Sequence, residues 1–132
     1  MARNGDYLIG IGPDGKGQFD PIVYDRLQEI GQWLEVNGKA IYATRPVKPY
    51  EQDNLVFTGA RDGTVYAIVL GKDDASGMPA EVCLPKHLLK DSAEVELLGY
   101  GVLKADADGR VAIAQSVRDN PPCQHAWALR LR

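Results

Sequence analysis

The chain is poor in the residues that make chemistry easy to place. It holds two cysteines and two histidines in 132 residues. Cys83 and Cys123 form no CxxC pair, and their usual burial marks them as two small core residues. Their spacing gives no ground for a disulfide. His87 and His125 lie far apart, and neither has a second His or Cys at metal-ligand spacing. No metal site and no cofactor motif is expected. No Ser or Cys stands in a nucleophile motif, which leaves a catalytic triad without support. No apolar run approaches the ~20 residues of a membrane span, and no signal-peptide pattern is present. The formal net charge is −3 and the basic residues are scattered. Nothing in that pattern suggests a nucleic-acid or membrane surface.

What is present is an ordinary globular composition, 45% hydrophobic and 25% charged, punctuated by 14 Gly and 8 Pro. The length fits one domain with a real core, and the turn residues favour short strands over long helices. Tyr7, Leu8, Ile9 and Ile11 make a run that is apolar on both faces, as in a buried parallel strand. A glycine-rich turn over 12–17 follows. Asp20 then caps a helix with Pro21 at its first position, and Phe19 can staple onto Tyr24. Ile22, Val23, Leu27, Ile30, Trp33 and Leu34 fall within an arc of roughly 140°. Arg26 intrudes there, its stem expected along Trp33. Asn37-Gly38 marks the stop.

Residues 47–54 are proline-rich and polar, and are expected to be a linker. Beyond them the period changes to alternation. Strands are expected over 55–58, 64–70, 80–84, 94–99, 102–105 and 110–115, with hairpin turns at Arg61-Asp62-Gly63 and Asp108-Gly109. In the last strand Trp127, Leu129 and Leu131 face one way, and Ala128, Arg130 and Arg132 the other. Six or seven short antiparallel strands predict a β-sandwich over 55–132. No internal repeat or low-complexity segment is visible.

The candidate sites are thin. Gly10-Ile11-Gly12 lacks the third glycine of a phosphate loop, and Asp20 at the cap would repel an anion. Asp106-Ala107-Asp108-Gly109 misses the later ligands of a calcium loop and fits a hairpin turn better. Asp14 is the carboxylate nearest the end of the first strand, and Asp6 stands at its beginning. A single positioned carboxylate cannot run a two-carboxylate hydrolysis. No catalytic residue is assigned, and the substrate-binding residues are unknown.

The run Asn4-Gly5-Asp6-Tyr7-Leu8-Ile9-Gly10-Ile11-Gly12-Pro13, with Arg26-Leu27, Gly31, Trp33-Leu34, Asn37-Gly38, Ala40-Ile41-Tyr42 and Thr44-Arg45-Pro46 in register, resembles the end of the catalytic barrel in the α-L-fucosidases, family 29 of the glycoside hydrolases. The likeness covers residues 4–46 and is only architectural beyond Tyr50. Asp6 and Gly10 stand where the family usually has Asn, and Lys16 where an acidic residue is common. The resemblance implies that 1–46 is the last strand and helix of a (β/α) barrel, 47–54 a linker and 55–132 a C-terminal β-sandwich. It also implies a parent that removes terminal α-L-fucose from glycans with retention, in a family often secreted, periplasmic or lysosomal. The family's nucleophile and acid/base belong to earlier strands, so this chain is expected to be structural and inactive by itself. Its partners would be the missing barrel and, through the parent, a fucosylated glycan. As an isolated chain it is expected to form a homodimer that hides the helix face. The rival reading is a non-catalytic carbohydrate-binding module, drawn from Phe57, Tyr66, Tyr100 and Trp127, with Tyr100 as the exposed platform.

Overall fold

The computed structural model describes residues 2, 4–71, 77–89 and 94–131. Met1 and Arg132, which figure in the sequence expectations, lie outside them. The protein is mainly β, with an antiparallel six-stranded sheet at its centre. In chain order come α1 (Pro21–Asn37), β1 (Thr44–Gln52), β2 (Leu55–Ala60), β3 (Val65–Leu70), β4 (Glu81–Cys83), β5 (Glu94–Leu97), β6 (Gly101–Lys104), β7 (Arg110–Ala112), α2 (Gln115–Asp119) and β8 (Ala126–Leu131). The large sheet runs β1-β2-β3-β8-β5-β6, and β4 pairs with β7 as a separate ribbon. Among the described residues no helix is long and apolar enough to cross a membrane.

Alternation in the strands sorts side chains between two cores. Leu55, Phe57, Ala67, Val69, Val95, Leu97, Trp127, Leu129 and Leu131 bury one face of the sheet against Val82 and Val111 of the ribbon. Val56, Tyr66, Ile68, Leu98 and Ala128 bury the other face against Ala40, with Trp33 and Val36 packed alongside. Each strand thus contributes period-2 neighbours to opposite layers. On the second face Tyr66, Arg130 and Glu96 stand in one cross-strand row. Arg130 pairs with Glu96 there. Burial pushes the Tyr66 phenol up, with Arg130 pulling against it.

The turns form as their residues require. Asp62 accepts from the Thr64 N–H at 2.9 Å, and Gly63 takes φ +83°. At the next hairpin Asp106 accepts from the N–H groups of Asp108 and Arg110, at 2.8 and 2.9 Å. Gly109 is required twice over. Its φ is +81°, and a Cβ there would sit 2.4 Å from the Leu84 carbonyl oxygen.

Three expectations need correction. Residues 7–11 form no strand: they pair with no other segment among the described residues, and a run without a partner strand has no ladder to join. The stretch expected as a linker over 47–54 is largely edge strand β1, paired with β2. Proline is tolerated on an edge, and the pairing breaks between Pro46 and Glu51, where Tyr50 takes φ +69°. The final residues of the 110–115 strand turn instead into α2.

Candidate functional site

The feature that sets this protein apart from a closed sandwich is its N-terminal unit. Asp20 caps α1 by accepting from the Ile22 N–H at 3.0 Å, with Pro21 at the first position. Phe19 meets Tyr24 edge-on, ring centroids 6.2 Å apart. Arg26 pairs with Glu29 at 2.9 Å on the exposed side, which is how its charge is accommodated beside apolar neighbours.

The helix does not present one apolar face to one surface. Trp33, Val36 and Asn37 pack down onto the sheet, while Val23, Leu27, Ile30 and Leu34 belong to neither buried cluster. Positions 23, 27, 30 and 34 follow i, i+4, i+7, i+11, so they form a stripe of their own. Leu27 and Ile30 are each 42% exposed. Before them Tyr7 is 88% and Leu8 93% exposed. Exposed large apolar side chains grouped along one short segment and one helix stripe are the kind of surface that calls for a partner.

The anchor of the helix is Asn37, which is fully buried. Its Oδ1 accepts from the Ala128 N–H at 3.1 Å. Its Nδ2 donates to the Trp33 carbonyl and to Cys123 Sγ, each at 3.2 Å. Trp33 Nε1 donates to the Ala126 carbonyl at 2.8 Å. Thr58, also buried, donates to the Ala40 carbonyl at 2.7 Å, and the buried Thr44 hydroxyl donates to the Ile41 carbonyl at 2.8 Å. This polar set joins helix end to sheet with its buried groups satisfied. Sequence reasoning treated Asn37 as a stop signal only. Gly38 matters for space rather than handedness: its φ is −56°, and a Cβ would fall 2.9 Å from the Tyr42 ring.

The sequence-derived candidates disperse. Asp14 Oδ1 accepts from the N–H groups of Lys16 and Gln18, both at 2.8 Å, so it builds the glycine-rich turn. Asp6 lies in a separate shallow cleft with Arg45, Thr44 and Pro46. Asp108 pairs with Lys86 at 2.8 Å, and that lysine holds its carboxyl below the usual range. His87 is exposed in a short 3₁₀ turn. Cys83 is exposed, which corrects its placement in the core, and Cys123 is half-buried; both are free thiols. Burial pushes the Cys123 thiol up, with the Asn37 hydrogen bond pulling partly back. Among the aromatics of the rival reading, Phe57, Tyr66 and Trp127 are buried, and Tyr100 is exposed.

One further cleft, of about 340 Å³, opens between α1 and the loop before β8. Glu29, Gln32, Trp33, Pro122, Cys123, Gln124 and His125 line it.

With that geometry in view, the likenesses to known proteins are informative. The sequence model of the Alpha-L-fucosidase family matches residues 1–39. An alpha-L-fucosidase of Branchiostoma floridae is 31% identical over 100% of this chain and 30% of its own length. The human tissue alpha-L-fucosidase is 31% identical over 99% of this chain and 29% of its own. The chain therefore spans about 30% of the length of the curated relatives it matches. Among solved structures, alpha-L-fucosidase isoenzyme 1 from Paenibacillus thiaminolyticus aligns at TM-score 0.74 and 22% identity, over 98% of this chain and 31% of that one. A Thermotoga maritima alpha-fucosidase in complex with fucose aligns at TM-score 0.74 and 20% identity, over 99% and 31%. At those identities the structural likeness speaks to the fold.

Proposed function

We propose, from the premise that this chain belongs with the C-terminal part of the α-L-fucosidase family, that it is the non-catalytic C-terminal portion of a retaining hydrolase acting on terminal α-L-fucose of glycans. The observation that carries this reading is the set of exposed apolar side chains Tyr7, Leu8, Leu27 and Ile30 beside a well-packed sandwich. A surface of this kind wants apolar cover. In the parent, barrel strands supplied by residues outside this sequence cover it. The sandwich then buttresses the last helix through Asn37 and Trp33. In the isolated chain, a second copy covers it, because a twofold contact lets one patch meet its own equivalent.

Retention needs two carboxylates roughly 5–5.5 Å apart, one a nucleophile and one an acid/base. Asp14 is committed to its turn, with one oxygen accepting two backbone N–H groups. The chain is accordingly incomplete as a catalyst. Purified protein should release no nitrophenol from nitrophenyl α-L-fucoside above the buffer rate. Turnover that disappears on Asp14→Asn would refute this reading.

A further inference from the structure

The construction of the cleft between α1 and the loop before β8 begins with a left-handed residue in that loop. His125 takes φ +70°, and the Ala126 N–H donates to the Gln124 carbonyl at 2.8 Å. That is a γ-turn of the rare, left-handed-φ kind, centred on a non-glycine residue. Such a conformation persists only where its surroundings over-determine it, and it is a pointer to function. Here they do. The His125 carbonyl accepts from the Gly71 N–H at 2.8 Å. The Ala126 carbonyl accepts from Trp33 Nε1 at 2.8 Å and from the Cys123 thiol at 3.1 Å. The Cys123 carbonyl accepts from Trp127 Nε1 at 2.8 Å.

The loop backbone is thus tied down by hydrogen bonds, while the side chains it presents are free to bind. Among the described residues the side chains of Gln32, Gln124 and His125 have no hydrogen-bond partner. Glu29 spends Oε2 on Arg26 and keeps Oε1. Trp33 has its N–H committed to Ala126, so what it adds to the cleft is ring carbon. Two amides, an imidazole and a carboxylate oxygen around an indole suit a neutral ligand with several hydroxyls and an apolar C–H face. A cleft of about 340 Å³ lies in the range of small-molecule sites. At 100° per residue, Glu29 and Gln32 point roughly 130° or more away from the centre of the 23/27/30/34 stripe. The cleft therefore stays open when that stripe is covered.

We infer that this cleft is a second, non-catalytic saccharide-binding site, formed by Gln32, Trp33, Gln124 and His125. It goes beyond the proposed role of the chain and does not depend on the barrel. The test is titration of the purified chain with methyl α-L-fucoside, methyl β-D-galactoside and glycerol, followed by amide chemical shifts. Saturable binding of at least one glycoside with a Kd on the order of 1 mM is expected, with no saturation by glycerol. Gln124→Ala and His125→Gly should each weaken it at least tenfold. His125→Gly should keep a thermal midpoint at or above that of the parent, because it relieves the strained φ. No saturation by either glycoside below about 100 mM, a scale that leaves only about 1.4 kcal/mol of binding, would overturn the inference. So would equal saturation by glycerol, or unchanged affinity in both variants.

Discussion

Replacing Trp127 with alanine should destabilise the protein by about 3–5 kcal/mol, the range for deleting a buried aromatic. Trp127 is 2% exposed and lies on the core face of β8. It stands opposite Val69 on β3, and its indole N–H is used by the Cys123 carbonyl. Truncation therefore removes ring volume from the larger core and also orphans a carbonyl in the loop before β8. The surrounding strands are hydrogen-bonded on both sides, with β8 held between β3 and β5, so the site cannot collapse to fill the void. Chemical denaturation measures the loss. A value under about 1 kcal/mol would mean the ring is not packed there, and would return Trp127 to the sugar-stacking reading.

Asn37→Ala should cost roughly 2–4 kcal/mol, a sum of one orphaned buried N–H and lost side-chain hydrogen bonds. The substitution leaves the Ala128 N–H without its acceptor inside the second core. It also removes the donor that ties Trp33 and Cys123 together. Because α1 is fastened to the sheet at this end, the effect should be visible as freer access of a fluorescence quencher to Trp33. A stability loss below about 0.5 kcal/mol, smaller than one ordinary hydrogen bond, with Trp33 unchanged would show that packing by Trp33 and Val36 suffices.

The strands were legible because they alternate. Trp127, Leu129 and Leu131 turned inward as their spacing required, and the Asp62-Gly63 and Asp108-Gly109 turns followed from side-chain acceptors and positive φ. The helix was legible from Asp20, Pro21 and its apolar arc. What the arc concealed was that it serves two surfaces. A periodicity plot cannot separate Trp33, which meets the sheet, from Leu27, which belongs to neither buried cluster. The edge strand β1 was hidden by Pro46 and Pro49, whose missing N–H groups look like a linker until a neighbouring strand is known. Residues 7–11 show the converse. Their apolar run is that of a paired strand, and pairing is a property of partners that a local run does not contain. The cleft was invisible because it joins Gln32 to Gln124 across the fold, and its one local sign, a left-handed His125, has no signature in residue type.

Light scattering on the purified chain tests most directly the proposal that a second copy covers the N-terminal apolar stripe. Leu27 sits in the uncovered stripe, 42% exposed, in neither buried cluster. The chain should show a mass twice that of one copy, falling on dilution, and Leu27→Glu should run as a single copy whose unfolding midpoint no longer rises with protein concentration. An unsubstituted chain that keeps the mass of one copy at every concentration would contradict the claim.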